Sequence, residues 1–365
     1  MTTTQQSKTP LAKIAIQEDW RELVDLSRLL DWMDEQGLES GPIVDPALLP
    51  GGTQNVLLKF RRGSRDFVLR RPPRHPRTDG NVTMRREASV LGALAGTNVP
   101  HPGLIAASSE TDVLGTAFYL MEPVSGFNAA MGMPMLHASN PAIRHRMGLA
   151  MAEAIAKLGA LDPVARGLEG FGRTEGFLER QVPRWLGVLE SYAEYPGWPG
   201  PDEIPGVKEV AAWLEANRPS SFTPGIMHGD YHISNVMFRH DSGELAAVVD
   251  WELATVGDPL LDLGWLIATW PGAKGYGAVG SQRIEPFDGF PDSRELIAHY
   301  ARHSSRELSH IDWYVVLACF KLGLILEGTH ARAYAGKAPM STGEALHRSC
   351  VALLSQALTR INTSG

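Results

Sequence analysis

Residues Met227 to Phe238 read Met-His-Gly-Asp-Tyr-His-Ile-Ser-Asn-Val-Met-Phe, and Val248 to Glu252 read Val-Val-Asp-Trp-Glu. Three oxygen-bearing side chains are spaced in a telling way: Asp230, Asn235 five residues on, and Asp250 fifteen beyond that. The apolar runs VMF and AAVVD flank a polar turn, Arg239 to Glu244. This pattern predicts a hairpin, with Asn235 entering its first strand and Asp250 leaving its second. Such a hairpin joins an amide oxygen to a carboxylate. Both are hard ligands of the kind Mg²⁺ takes, with water and phosphate oxygens completing its shell. Asp230, on the preceding loop, is then free to face a hydroxyl. One carboxylate to orient an attacking alcohol, and a cation site to neutralise phosphate charge, is the division of labour that phosphoryl transfer needs.

These residues need elements to hold them. The chain has 365 residues, a net charge of −7 and 44% hydrophobic residues, enough for about two structural units with a real core. Its mild acidity argues against bulk nucleic-acid binding. Cys319 and Cys350 are too few for a disulfide framework or a four-thiolate zinc site; both read as buried free thiols, which suits a cytoplasmic setting. The opening MTTTQQSKTP reads as a solvated tail without a secretory pattern, and no run is long enough for a membrane span.

Along the chain, Asp19 to Leu38 has helical apolar spacing closed by Gly37. A strand, the polar turn Gly51 to Asn55, the strand VLLKF, a Gly63-Ser64 hairpin and the strand DFVLR follow. Thr83 to Ala95 reads as a helix and Ala117 to Met121 as a short buried strand. Beyond Glu122 the text is mostly helical, with Asn140-Pro141 as a helix start. A glycine-rich connector, Pro271 to Ser293, precedes two C-terminal helices, one holding WYVVLACFKLGLIL as a buried run. The expected architecture is α+β: residues 1–40 a tail and helix, 41–122 a small antiparallel-sheet lobe that binds nucleotide, 123–365 a larger helical lobe for catalysis and substrate, with a cleft where the two lobes meet.

His-Gly-Asp-x4-Asn followed by Asp-Trp-Glu, then Gly257-Asp258-Pro259-Leu260-Leu261-Asp262-Leu263-Gly264-Trp265, resembles the aminoglycoside phosphotransferase family of the protein-kinase-like superfamily. The branch found as a domain fused to some acyl-CoA dehydrogenases looks most similar, and the likeness runs from about Ile43 to Leu354. The resemblance implies a bilobal kinase-like fold, ATP (or GTP) and Mg²⁺ as cofactors, and a small-molecule hydroxyl as acceptor. It implies Asp230 as catalytic base, Asn235 and Asp250 as metal ligands, and His228 as a brace. Gly52, Thr53, Gln54 and Asn55 become the nucleotide loop, Glu87 the helix carboxylate that pairs with a strand cation, and Met121 and Glu122 the hinge where backbone groups meet adenine.

The sequence departs from that pattern at three places. The strand cation is Arg70, seventeen residues before Glu87, rather than Lys, with Lys59 the weaker substitute. The loop lacks Gly-x-Gly-x-x-Gly. Gly229 stands where protein kinases have the Arg that reads a phosphorylated loop, which favours a small-molecule acceptor over a protein. The acceptor is read as a metabolite such as a hydroxyacyl thioester, ahead of an aminoglycoside-like compound, since no dense acidic run exists to receive a polycation. The competing reading is a catalytically silent nucleotide-binding module. Asp262 is read as an anchor of the catalytic loop, His232 as an ordinary polar contact, and Trp185, Trp265 and Trp313 as core. Arg61, Arg62, Arg65, Arg70, Arg71, Arg74 and Arg77 are a solvated basic face in one reading and a coenzyme A contact in the other.

Overall fold

A computed structural model describes residues 19–49, 55–74, 79–272, 275, 277–278 and 283–363. Gly51, Gly52, Thr53 and Gln54 of the expected nucleotide loop, together with Arg77 and the tail through residue 18, lie outside the described residues. The chain divides into two compact units, one running through Gly92 with Gly103–Pro123, the other comprising Ala93–Pro102 and everything from Val124.

The first unit contains α1 (Leu26–Glu35), β1 (Ile43–Leu48), β2 (Val56–Arg62), β3 (Arg65–Arg71), most of α2 (Gly80–Leu94), β4 (Leu104–Ser108) and β5 (Phe118–Met121). The strands form one antiparallel sheet in the order β1-β2-β3-β5-β4. Alternation along the strands sends Leu58, Phe60, Phe67, Leu69, Phe118 and Leu120 into a core shared with Trp20, Leu29, Trp32 and Met33. Each such side chain contributes roughly 1.5–3 kcal/mol on burial. The N-terminal helix is therefore part of this unit rather than an appendage. It is also shorter than its periodicity predicts. Asp25 accepts hydrogen bonds from the Ser27 and Arg28 backbone N–H groups, which starts α1 there, and Asp19 caps a separate turn at Trp20–Glu22. The opposite sheet face carries Val68, Arg70 and Tyr119, the last two paired across β3 and β5. The edge strand β4 has no counterpart in the sequence reading. Its Leu-Ile-Ala-Ala-Ser text is short and weakly alternating, and pairing with β5 is what makes it a strand.

The second unit contains α3 (Met135–Ala138), α4 (Pro141–Gly159), α5 (Gln181–Ser191), α6 (Val207–Ala216), β6 (Gly225–Met227), β7 (Val236–Phe238), β8 (Leu245–Val248), β9 (Thr255–Gly257), α7 (Leu260–Thr269), α8 (Ser293–His303), α9 (Ile311–Tyr334) and α10 (Met340–Thr363). Asn140 caps α4, with Pro141 in its first turn. The apolar run at Trp313 is the buried body of α9, packed against α7 and α10. No described helix is long and apolar enough to cross a membrane. At Gly264 in α7 a Cβ would lie 2.5 Å from the Tyr314 carbonyl oxygen, so glycine is what lets α7 and α9 come this close. Three helices follow the connector, not two. Asp292 accepts from the backbone of Arg294 and Glu295, while Glu295 reaches back to the Asp292 N–H, a reciprocal cap that starts α8.

Candidate active site

Two short antiparallel pairs, β6–β9 and β7–β8, frame the 228–235 loop. Gly229 holds a left-handed φ of 85°, and a Cβ there would meet the Leu253 carbonyl oxygen at 2.4 Å. Backbone conformation and a tight approach both demand glycine at this position. From the first turn of α7, the buried Asp262 carboxylate accepts the His228 N–H at 2.6 Å and the Gly229 N–H at 2.8 Å. Burial raises the Asp262 pKa, opposed by His228 and these two N–H donors. His228 is fully buried, with Nε2 2.9 Å from the Val249 carbonyl and Nδ1 accepting the Asp230 N–H at 3.3 Å. A carbonyl only accepts and an amide only donates, so Nε2 faces an acceptor and Nδ1 a donor. His228 braces the loop and has no nitrogen left for substrate.

The β7–β8 register, Val236 opposite Val248, extends by the Val249 N–H donating to the Asn235 carbonyl at 2.9 Å. Asn235 and the residue before Asp250 are thus cross-strand partners. Asn235 gives amide hydrogens to the Asp230 carbonyl at 2.9 Å and to Asp230 Oδ2 at 3.1 Å. Its amide oxygen is then the end suited to a hard cation. Asp250 takes a left-handed φ of 67° immediately before the Trp251–Leu253 turn. That conformation costs a non-glycine residue on the order of 1 kcal/mol or more, strain of the kind that gathers at functional sites.

Asp230 has polar partners on both carboxylate oxygens. Trp265 Nε1 donates to Oδ1 at 2.9 Å, and His232 Nε2 lies 3.5 Å from Oδ2. Burial pushes this carboxyl up, but His232, His228 and Lys321 outweigh it and hold it down at about 2. The group is an ionised hydrogen-bond acceptor at neutral pH. A cavity of about 140 Å³ opens at it. Among the described residues its polar lining is Asp230, His232 and Thr269, and its apolar wall includes Ile233, Trp265, Ile284 and Leu322. Trp265 and Lys321 are functional candidates that sequence reasoning missed. Trp265 read as core because it is apolar and sits in a helix, and Lys321 was hidden inside an apolar helical run.

In the first unit, Arg70 Nε and Nη2 approach the buried Glu87 carboxylate at 2.8 and 3.0 Å, and the Tyr119 hydroxyl donates to it at 2.6 Å. Lys59 does not take this place; it pairs with Asp66 across the hairpin at 3.1 Å. The backbone N–H of Glu122 is committed to the Gly103 carbonyl at 2.8 Å, because β4–β5 pairing continues one step past Met121. The arginine cluster is not a continuous solvated face. Arg71 is buried against the Leu23, Leu114 and Pro72 carbonyls, Arg62 against Leu38, Gly41 and Asp34, and Arg65 pairs with Glu122. Arg61 and Arg74 pair with Asp45 and Glu22.

An aspartate fixed on a left-handed glycine loop, beside a hairpin that presents an amide and a carboxylate, on an α+β scaffold, defines a kinase-like phosphotransferase. The Phosphotransferase enzyme family matches residues 47–298, and the chain belongs to it. It is similar to acyl-CoA dehydrogenase family member 11 of Gallus gallus, 31% identical over 79% of this chain and 36% of that protein. It is likewise similar to family member 10 of Mus musculus, 26% identical over 80% of this chain and 27% of that protein. The chain spans about a third of the length of these curated relatives. Among solved structures, a provisionally named aminoglycoside phosphotransferase from Ralstonia eutropha is 26% identical with a TM-score of 0.75, covering 92% of this chain and 98% of its own. An ethanolamine kinase from Plasmodium vivax, 14% identical with a TM-score of 0.54 over 86% of this chain and 83% of its own, shares the fold. The architecture is the bilobal, protein-kinase-like α+β fold.

Proposed function

We propose that the chain transfers the γ-phosphoryl group of ATP, with GTP as the alternative nucleotide, to a hydroxyl of a small molecule in the presence of Mg²⁺. The observation that carries this reading is Asp230, ionised, held at both carboxylate oxygens and set at the mouth of a cavity. Asp230 orients the acceptor hydroxyl and accepts its proton as the oxygen attacks phosphorus and ADP leaves. A carboxylate held near 2 is a weak base, so its contribution is mostly orientation. The Asn235 amide oxygen and the Asp250 carboxylate are hard donors that fit Mg²⁺, which when bound neutralises phosphate charge. In the first unit, Asn55 and the glycine loop before it, Arg70, Glu87 and the Met121–Glu122 segment handle the nucleotide. Arg70, paired with Glu87, supplies the positive charge that the nucleotide phosphates require on this strand.

For the acceptor, a polycation needs several carboxylates, and Asp230 is the one carboxylate in the described lining of the cavity. A volume of about 140 Å³ with apolar walls suits a six-carbon apolar group, since an engineered cavity of roughly this size takes benzene. This favours a hydroxylated metabolite with an apolar segment, a hydroxyacyl thioester among them, over an aminoglycoside-like compound. The buried thiols Cys319 and Cys350, each pushed up to about 12 by burial, are inert in this chemistry and suit a cytoplasmic enzyme.

A screen of hydroxyacyl thioesters, sugars, choline-like amines and aminoglycosides for acceptor-dependent ADP release tests the reading. Asp230→Ala is expected to abolish turnover with nucleotide binding near normal, and Asp250→Ala to weaken Mg·ATP binding itself. Small and equal effects of the two would instead support the silent nucleotide-binding module that Arg70, in place of the usual Lys, keeps in view.

A further inference from the structure

Three indole N–H groups among the described residues find a backbone carbonyl, and that of Trp198 finds Glu327 Oε1 at 2.9 Å. Trp251 donates to Val248, Trp270 to Pro291 and Trp313 to Leu214. Trp265 instead donates to Asp230 Oδ1, at 2.9 Å, while being only 6% exposed. An indole N–H can donate but never accept, and it does not titrate at working pH. It therefore selects an unprotonated carboxylate oxygen and fixes the plane of the group.

The ring that carries this donor is itself clamped. Lys321 Nζ, from α9, lies 4.5 Å from the Trp265 ring centroid and 5.4 Å from that of Trp185. It also reaches the Gly229 carbonyl at 3.4 Å. The close α7–α9 approach permitted by Gly264 brings the two residues together. The clamp thus grips the catalytic loop twice, through the Asp230 carboxylate and through the neighbouring Gly229 carbonyl. Asn235 holds the other carboxylate oxygen at 3.1 Å. The lone pairs left over are those available to a hydroxyl in the cavity, which Asp230 and Trp265 line together. A phenylalanine is smaller than an indole, but it keeps an aromatic face toward Lys321 while lacking the N–H, so it tests the donor.

We propose that Trp265 is a positioning residue for phosphoryl transfer, its N–H fixing the rotamer of Asp230 so that the free lone pairs face the acceptor hydroxyl. The inference rests on the phosphotransferase reading and deepens it. Loss of the donor leaves Asp230 charged and present but held only at Oδ2, where Asn235 and His232 lie, so the carboxylate plane is less tightly fixed. Misplacement by about 1 Å costs on the order of a hundredfold in rate.

Trp265→Phe is expected to lower kcat about ten- to hundredfold while both KM values stay within about twofold. The melting temperature is expected to fall by a few degrees, because phenyl leaves part of the indole volume empty, and kcat is therefore compared well below the variant's melting point. An unchanged kcat, or a loss confined to KM, overturns the proposal. A second readout needs no turnover. In a ¹⁵N-indole NMR spectrum, the resonance missing from Trp265→Phe is expected downfield and slow to exchange in the wild type. It should move upfield and exchange faster in Asp230→Ala. A resonance indifferent to Asp230 overturns the pairing. A wild-type protein that transfers phosphate to no alcohol and to no water overturns the phosphotransferase reading, and the spectrum then decides the Trp265–Asp230 pairing by itself.

Discussion

Arg70 and Glu87 lie seventeen residues apart and meet because β3 and α2 share one side of the sheet, with Tyr119 completing the contact from β5. A guanidinium offers two parallel N–H donors to Glu87, here at 2.8 and 3.0 Å. An ammonium has no planar fork and cannot reproduce that paired contact. Arg70→Lys is therefore expected to raise the KM for nucleotide about tenfold with a smaller effect on kcat, measured by steady-state kinetics with the acceptor saturating. At this scale, Asp230, Asn235 and Asp250 were legible because a loop and a hairpin join them locally, so spacing carries the information. Trp265, Lys321 and Tyr119 were not. Their partners stand 35, 92 and 32 residues away, across packed helices or strands whose relative placement no local pattern encodes.

Element boundaries here follow side-chain caps more closely than hydrophobic period. Asp25 splits what apolar spacing alone reads as one helix, and Asn140 opens α4 where the Asn-Pro pair predicts. Asp292 opens a helix that the glycine-rich text before it obscured, and the reciprocal bond from Glu295 makes that cap the best test case. Asp292→Ala is expected to cost about 1 kcal/mol of stability, read as a lower urea midpoint at unchanged slope, because two backbone N–H groups lose their acceptor. A cap is visible in sequence when its residue types are unambiguous. The strand β4 shows the opposite limit, since its five residues become a strand only through the neighbour they pair with.

At the scale of the molecule, Glu153 joins α4 to α8 and to the β7–β8 turn. It accepts from Arg146 at 2.5 and 2.9 Å and from His299 at 2.7 Å, and Arg146 also grips Glu244. The Arg146 hydrogen bonds, aided by His299, outweigh burial and bring its carboxyl from an ordinary 4.5 down to about 2. A carboxyl depressed in the folded state stabilises fully above its unfolded pKa, and the contribution fades as pH falls through the folded value. On the order of 2–3 kcal/mol should thus be lost between roughly pH 5 and pH 2. Glu153→Gln is expected to melt lower at pH 7 and to show a flatter decline in melting temperature over that acid range. A decline as steep as the wild type would place the acid sensitivity elsewhere.

The sequence by itself determined the candidate set and much of the alternation of strand and helix around it, because hydrophobic period, turn residues and the short Asp-Asn-Asp spacing are properties of neighbouring residues. Tertiary structure alone decided that an indole holds the Asp230 carboxylate while an ammonium reaches the Gly229 carbonyl beside it, and that the described arginines of the basic cluster pair with carbonyls and carboxylates inside their own unit. It also decided that the cavity at Asp230 has apolar walls. Those outcomes depend on which surfaces pack face to face, and packing is settled by the summed burial of residues far apart in the chain.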